Sequence, residues 1–149
     1  MSLETKVQKD MVTAMKAKDK ASLEVLRAIK SSIIMAKTEA GSSDILTEDQ
    51  ELKLLQKLKK QRQDAALIYR EQNRSEMADE EESQILVIDR FLPEQMSEAE
   101  LETVIKEIIE QTGANSMKDM GKVMGMSSKK LAGKADGKAI SGLVKKLLA

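Results

Sequence analysis

The sequence of 149 residues contains neither cysteine nor histidine. These absences exclude Ser-His-Asp and Cys-His nucleophile systems, acid–base catalysis by histidine, and zinc sites built from these two residue types. They also exclude disulfide bonds, which suits the reducing cytoplasm. No apolar run reaches the ~20 residues of a membrane span, and the N-terminus has no apolar stretch of signal-peptide length. We therefore expect a cytoplasmic protein with no membrane partner.

Proline and aromatic residues are nearly absent, since Pro93, Tyr69 and Phe91 are the only ones. Residues with high helix propensity dominate instead, and no segment alternates between apolar and polar with a period of two. We expect an all-α fold whose core is built from Leu, Ile, Val, Met and Ala at helical spacing.

The first 92 residues are predicted to form an elongated helical domain of about four antiparallel neighbours. Apolar residues repeat at three and four along each predicted helix. Gly41–Ser43 is predicted to end the second helix, and the run Glu80–Glu82 to open the fourth. The first three predicted helices span about 3–17, 20–38 and 47–72.

Pro93 marks the predicted domain boundary, because the residue before a proline is pushed out of the α region. The C-terminal domain, 93–149, is predicted to be a small three-helix bundle. Its first helix has Ser97 and Glu100 as a capping box and Gly113 as its stop. The second is predicted to be capped by Ser116 with Asp119, to end at Gly133, and to turn Met117, Met120 and Met124 inward. Asp136 is predicted to cap the third.

Charge is distributed unevenly over this second domain. The stretch 113–149 holds six of the seven glycines, eight lysines and only two acidic residues, whereas 93–112 holds six glutamates and one lysine. A local basic surface attracts polyanions even when the net charge of the chain is zero. The tail therefore points to a polyanionic partner.

The candidate nucleic-acid-binding residues are the lysines and glycines of this tail. Lysines would contact phosphates, and glycines would let a sugar-phosphate backbone come close to the chain. The alternatives are a solvated helix face for the lysines and close helix packing for the glycines. The residues are Lys118, Gly121, Lys122, Gly125, Lys129, Lys130, Gly133, Lys134, Gly137, Lys138, Lys145 and Lys146.

The kind of nucleic acid follows from what the tail lacks. No arginine follows Arg90, so bidentate readout of guanine is absent, and no aromatic follows Phe91 to stack on single-stranded bases. Backbone and shape recognition of a folded RNA remain, and we expect no DNA partner. The Gly-Lys pairs lack the spacing of a P-loop, and we expect no cofactor, no metal and no catalytic residue.

Three further features have simpler interpretations. Met126 lies off the predicted apolar face and is a candidate protein contact. Lys53, Lys57 and Lys60, beside Lys59 and Arg62, either extend an RNA-binding face or form salt bridges on a solvated helix. Ser127–Lys130 resembles a Ser-Lys pairing, but we interpret it as helix surface because no Gly/Ser-rich amidase segment accompanies it.

Several segments together resemble the YqeY family, which is bacterial, over the whole length of the chain. The most specific are KDMGKVMG (Lys118–Gly125) and GKADGK (Gly133–Lys138). The others are LEVLRAIKSSI (23–33), LQKLKKQRQDA (55–65) and IDRFLPEQMSEAEL (88–101). Where the family commonly continues with an apolar turn, this chain has the more polar Met126–Ser128.

This resemblance implies a two-domain protein whose C-terminal part is similar to the tail domain of GatB. GatB is the tRNA-handling subunit of a glutamine-dependent tRNA amidotransferase, and its tail contacts the elbow of tRNA. The resemblance also implies carbon–nitrogen ligase activity with glutamine as amide donor, but we expect no catalysis by this chain alone. Three hypotheses follow: a protein that binds tRNA or another structured RNA, a module that docks on an amidotransferase or other tRNA-handling complex, or, against our expectation, an amidotransferase in its own right.

Overall fold

The computed structural model describes residues 2–39 and 45–149, which contain seven α-helices and no strand. The predicted all-α fold is therefore confirmed. The chain divides into two compact units, Met1–Leu92 and Pro93–Ala149, which we call the N-terminal unit and the C-terminal unit.

Four helices build the N-terminal unit. They are α1 (Leu3–Lys16), α2 (Lys20–Glu39), α3 (Glu48–Glu71) and α4 (Ser75–Asp89). The third begins with a complete capping box, in which Thr47 and Gln50 each accept a hydrogen bond from the backbone N–H of the other. The predicted end of α2 at Gly41–Ser43 lies outside the described residues.

The core of the N-terminal unit is aliphatic, as the composition predicts. Helix α3 packs along α4, and α1 packs along α2. The contacts come from apolar positions three or four residues apart, which share one helix face. Fully buried members include Val7, Leu26, Ile29, Ile33, Leu55 and Ile88.

Helix α4 begins at Ser75, so its predicted start at Glu80–Glu82 is wrong. Asn73 adopts the left-handed conformation (φ +59°) and ends the turn after α3. Ala78 is completely buried, so the first turns of α4 already pack. The acidic run therefore lies within the helix, where Glu82 and Asp79 both bind Arg70, at 2.8 and 2.9 Å.

Three α-helices and one 3-10 turn build the C-terminal unit. They are α5 (Glu98–Thr112), the turn Met117–Asp119, α6 (Met120–Lys130) and α7 (Gly137–Leu148). The capping box of Ser97 with Glu100 is present, and Gly113 ends α5 in the left-handed region (φ +69°). The buried core comprises Leu101, Ile105, Ile108, Val123, Leu131, Ile140, Leu143, Val144 and Leu148.

Helix α6 differs from its prediction in four ways. It ends at Lys130, before the predicted stop at Gly133. Ser116 makes no side-chain capping bond; instead the Asp119 carboxylate accepts from the Asn115 N–H at 3.2 Å and shapes the 3-10 turn. Met117 is 46% exposed and not in the core. Ser127, expected on the surface, is completely buried, because the inward face follows Val123, Ser127 and Leu131 at intervals of four.

Candidate nucleic-acid interface

All eight lysines of the tail have exposed side chains. Within the described part of the chain, none of them lies within ion-pair distance of a carboxylate. Their charge is therefore not neutralised by a neighbouring acid and can act on an external anion. The residues are Lys118, Lys122, Lys129, Lys130, Lys134, Lys138, Lys145 and Lys146.

The solvent face of α6 alternates glycine with lysine. Because Val123 and Ser127 point into the core, the helical period of 3.6 places Gly121, Gly125 and Lys129 on the opposite side. Among the described residues, no atom outside the local helix lies within 4 Å of where a Cβ would stand on either glycine. Close packing within the bundle is therefore wrong as an explanation of Gly121 and Gly125.

Helix α7 also has a glycine on its solvent face, Gly142, which was not predicted as a site residue from the sequence. Ile140, Leu143 and Val144 are buried, so Gly142 lies on the solvent face. It too has open space where a Cβ would stand, as far as the described residues show. Its spacing of four from Lys138 and from Lys146 was the signal available in the sequence.

The two remaining candidate glycines border the turn between α6 and α7. Gly133 is buried with φ +74°, so it shapes the turn and does not form part of the surface. Gly137 is exposed and is the first residue of α7. Asp136 caps that helix by accepting from the Lys138 N–H at 3.3 Å.

Helix α5 carries the opposite charge. It contains five glutamates and one lysine, and that Lys106 forms an ion pair with Glu102 at 3.3 Å. An anion would therefore be attracted to lysines on α6 and α7 and repelled by α5.

A family model described as Yqey-like protein matches residues 4–148. The chain belongs to the YqeY family. A search of curated proteins found no match.

In this YqeY-family chain, some basic side chains of α3 have partners within their own unit, unlike the lysines of the tail. Lys59 lies 2.9 Å from Asp89 Oδ1, close enough to satisfy that buried oxygen, and Lys53 lies 3.1 Å from Asp49. Arg62 donates to the Gln84 side chain at 2.8 Å. These three therefore act within the N-terminal unit, whereas Lys57 and Lys60 are exposed.

None of the helices that the structure describes is both long and apolar enough to cross a membrane. Within residues 2–39 and 45–149, no three acidic side chains come together in a way that would hold a metal ion.

Proposed function

We propose that this YqeY-family protein binds tRNA or another structured RNA through the phosphate backbone. The observation that carries the proposal is the set of eight exposed lysines in the C-terminal unit, none of which forms an ion pair with a carboxylate of the described residues. A phosphate array is the partner that such a surface fits, because each lysine that neutralises a phosphate releases condensed counterions.

The glycines on the solvent faces of α6 and α7 support the same partner. A glycine inside a helix lowers stability by roughly 0.5–1 kcal/mol relative to alanine. Gly121, Gly125 and Gly142 have no packing contact that explains this loss within the described residues. A sugar-phosphate backbone lying against a helix surface without side chains would explain it, and lysines one turn away would hold the phosphates.

The proposal assigns binding to this chain and no catalytic step. It makes the protein a stand-alone relative of the GatB tail. Carbon–nitrogen ligase activity would then belong to the larger amidotransferase and not to this chain.

Filter binding of tRNA against salt concentration tests the proposal. Replacing Lys122, Lys138 and Lys145 with alanine should weaken binding to many tRNAs equally. It should also reduce the slope of log affinity against log salt by about 2 to 3, if each lysine contacts one phosphate. The matched control replaces the exposed Lys6, Lys9 and Lys16 of α1, which changes the net charge by the same amount and should leave the slope unchanged. Wild-type protein that binds no tRNA at low salt would overturn the proposal.

A groove in the N-terminal unit favours a second candidate function, docking on a tRNA-handling protein. It lies between α2 and α3, has a volume of about 640 Å3, and is lined by Ala36, Leu54 and Leu58. Met35 on its rim is 62% exposed. Lys57 on the α3 side and Glu39 on the α2 side give that rim charges of both signs, which suits an amphipathic helix with acidic and basic flanks.

Co-purification after nuclease treatment separates this docking from bridging by RNA. Under the docking hypothesis an amidotransferase or another tRNA-handling protein stays bound after nuclease, and Met35→Lys releases it. Met15→Lys on α1 is the matched control, because Met15 is 51% exposed and does not line the groove. Loss of the partner on nuclease treatment alone would count against docking.

A further inference from the structure

Helical spacing brings five side chains of different chemistry to one depression in the C-terminal unit. Ile108 and Gln111, three residues apart, come from α5. Met126, Lys129 and Lys130, spaced by three and four, come from α6. The depression has a volume of about 340 Å3 and is open to solvent.

The apolar surface of the depression comes mainly from one side chain. Met126 is 40% exposed, whereas Ile108 lies beneath it and is only 1% exposed. The Met126 thioether provides a polarisable contact for an aromatic ring, since methionine sulfur interacts favourably with aromatic groups.

The remaining lining groups are polar and carry no negative charge. The Gln111 amide offers both donors and an acceptor, and Lys129 and Lys130 each offer an ammonium group. Both lysines are exposed and have no carboxylate within ion-pair distance in the described part of the chain. An exposed thioether, an amide and two cations match the face, edge and phosphate of one nucleotide.

We propose that this depression holds one unstacked nucleotide of the bound RNA, an inference that rests on the proposed function. The base lies against Met126, its edge meets the Gln111 amide, and Lys129 or Lys130 contacts the adjacent phosphate. Backbone binding by the lysines is indifferent to sequence. The site adds a preference for RNA that has a nucleotide outside the helical stack. Methionine here takes the place that aromatic residues have in other RNA-binding modules.

Two RNA hairpins of equal stem length, one fully paired and one with a single-nucleotide bulge, test this site at fixed salt. Wild-type protein should bind the bulged hairpin about 2- to 10-fold more tightly, which corresponds to the known strength of methionine–aromatic contacts. Met126→Ser should remove this preference and leave affinity for the paired hairpin unchanged. A 2-aminopurine at the bulge should change its fluorescence on binding to the wild type and not to Met126→Ser.

Two control variants make the outcome specific. Met117→Ser removes a methionine that is 46% exposed and outside the depression, so it should keep the preference. Lys122→Ala should weaken binding to both hairpins equally. Equal binding of both hairpins by the wild type, or a preference that survives in Met126→Ser, overturns the nucleotide site while leaving backbone binding intact. Failure to bind either hairpin overturns the proposed function as well.

Discussion

The side-chain amide of Gln95 donates a hydrogen bond to the carbonyl oxygen of Gly133, with a distance of 2.6 Å between Nε2 and O. The backbone N–H of Met96 donates to the carbonyl of Lys134 at 3.0 Å. These two bonds tie the segment before α5 to the buried turn between α6 and α7. That turn positions Lys134 and the start of α7, so the lysine surface depends on it.

Replacing Gln95 with alanine should therefore destabilise the C-terminal unit. The carbonyl of the buried Gly133 would lose its amide donor, which costs roughly 1–2 kcal/mol. The C-terminal unit has no aromatic residue whose signal could report its unfolding, because Tyr69 and Phe91 both lie in the N-terminal unit. Amide exchange of α5–α7, measured by NMR, is therefore the suitable measurement. Glu94→Ala, at an exposed neighbour, should have little effect. Equal exchange rates in the two variants would contradict this role of Gln95.

Replacing Ser127 with alanine should stabilise the C-terminal unit. Ser127 Oγ is buried and has no hydrogen-bond partner among the described residues, and a buried unpaired hydroxyl costs roughly 1–3 kcal/mol. Alanine also has the higher helix propensity. Chemical denaturation followed by NMR of α6 measures the gain.

Ser128→Ala separates the two contributions to that gain. Ser128 is its exposed neighbour in α6, so its replacement changes propensity alone. The difference between the two variants reports the cost of the buried hydroxyl. If Ser128→Ala stabilises the unit as much as Ser127→Ala does, the hydroxyl carries no such cost.

Replacing Gly125 with alanine should change stability and RNA binding in opposite directions. The free energy of unfolding of the C-terminal unit should rise by about 0.5–1 kcal/mol, because alanine suits a helix interior and the space for its methyl group is open. Affinity for tRNA should fall, because that methyl group stands where the backbone is proposed to approach. Thermal unfolding and filter binding on the same sample measure both effects.

Gly113→Ala provides the contrasting control. Gly113 has φ +69° at the end of α5, so alanine there should lower stability. An increase in RNA affinity for Gly125→Ala would show that close approach at this helix face is not required.

Asp19 should make the N-terminal unit sensitive to acid. Its carboxylate accepts hydrogen bonds from the Ser22 hydroxyl at 2.7 Å and the Ser22 N–H at 3.1 Å, and these bonds lower the pKa of Asp19 below its ordinary value of 3.8. A depressed pKa in the folded state contributes stability that is complete above the unfolded value. That contribution is lost as pH falls through the folded pKa.

A carboxyl titration by NMR tests this assignment. Ser22→Ala removes the hydroxyl, the larger cause, so the pKa of Asp19 should rise toward 3.8 while the backbone bond keeps part of the shift. Ser31→Ala, on the exposed side of the same helix, should leave the titration of Asp19 unchanged. An identical Asp19 titration in wild type and Ser22→Ala would refute the role of the hydroxyl.

Local signals in the sequence predicted much of the helical framework. Ser97 and Asp136 are N-caps of α5 and α7 as expected, because capping depends on residues within one turn of the chain. Gly113 ends α5 for the same reason. The start of α4 was missed because the left-handed Asn73 and the packing of Ala78 outweighed the acidic run as a start signal.

The candidate interface was predicted in composition but not in arrangement. The lysine content of 113–149 predicted the basic tail, and the structure leaves all of its lysines exposed. Gly142 was omitted, Gly133 is buried, and Ser127 lies in the core. These differences depend on which face of α6 and α7 meets α5, which no short segment of the chain encodes.

The sequence by itself determined the all-α class, the caps at Ser97 and Asp136, the charge asymmetry and the family, because each is a property of residue type and near-neighbour spacing. The tertiary structure decided which glycines have open space where a Cβ would stand, that Ser127 is buried, and which side chains from α5 and α6 share a depression. Those facts depend on the rotation of each helix about its axis. That rotation is fixed by packing the whole apolar core of the C-terminal unit and not by any one segment.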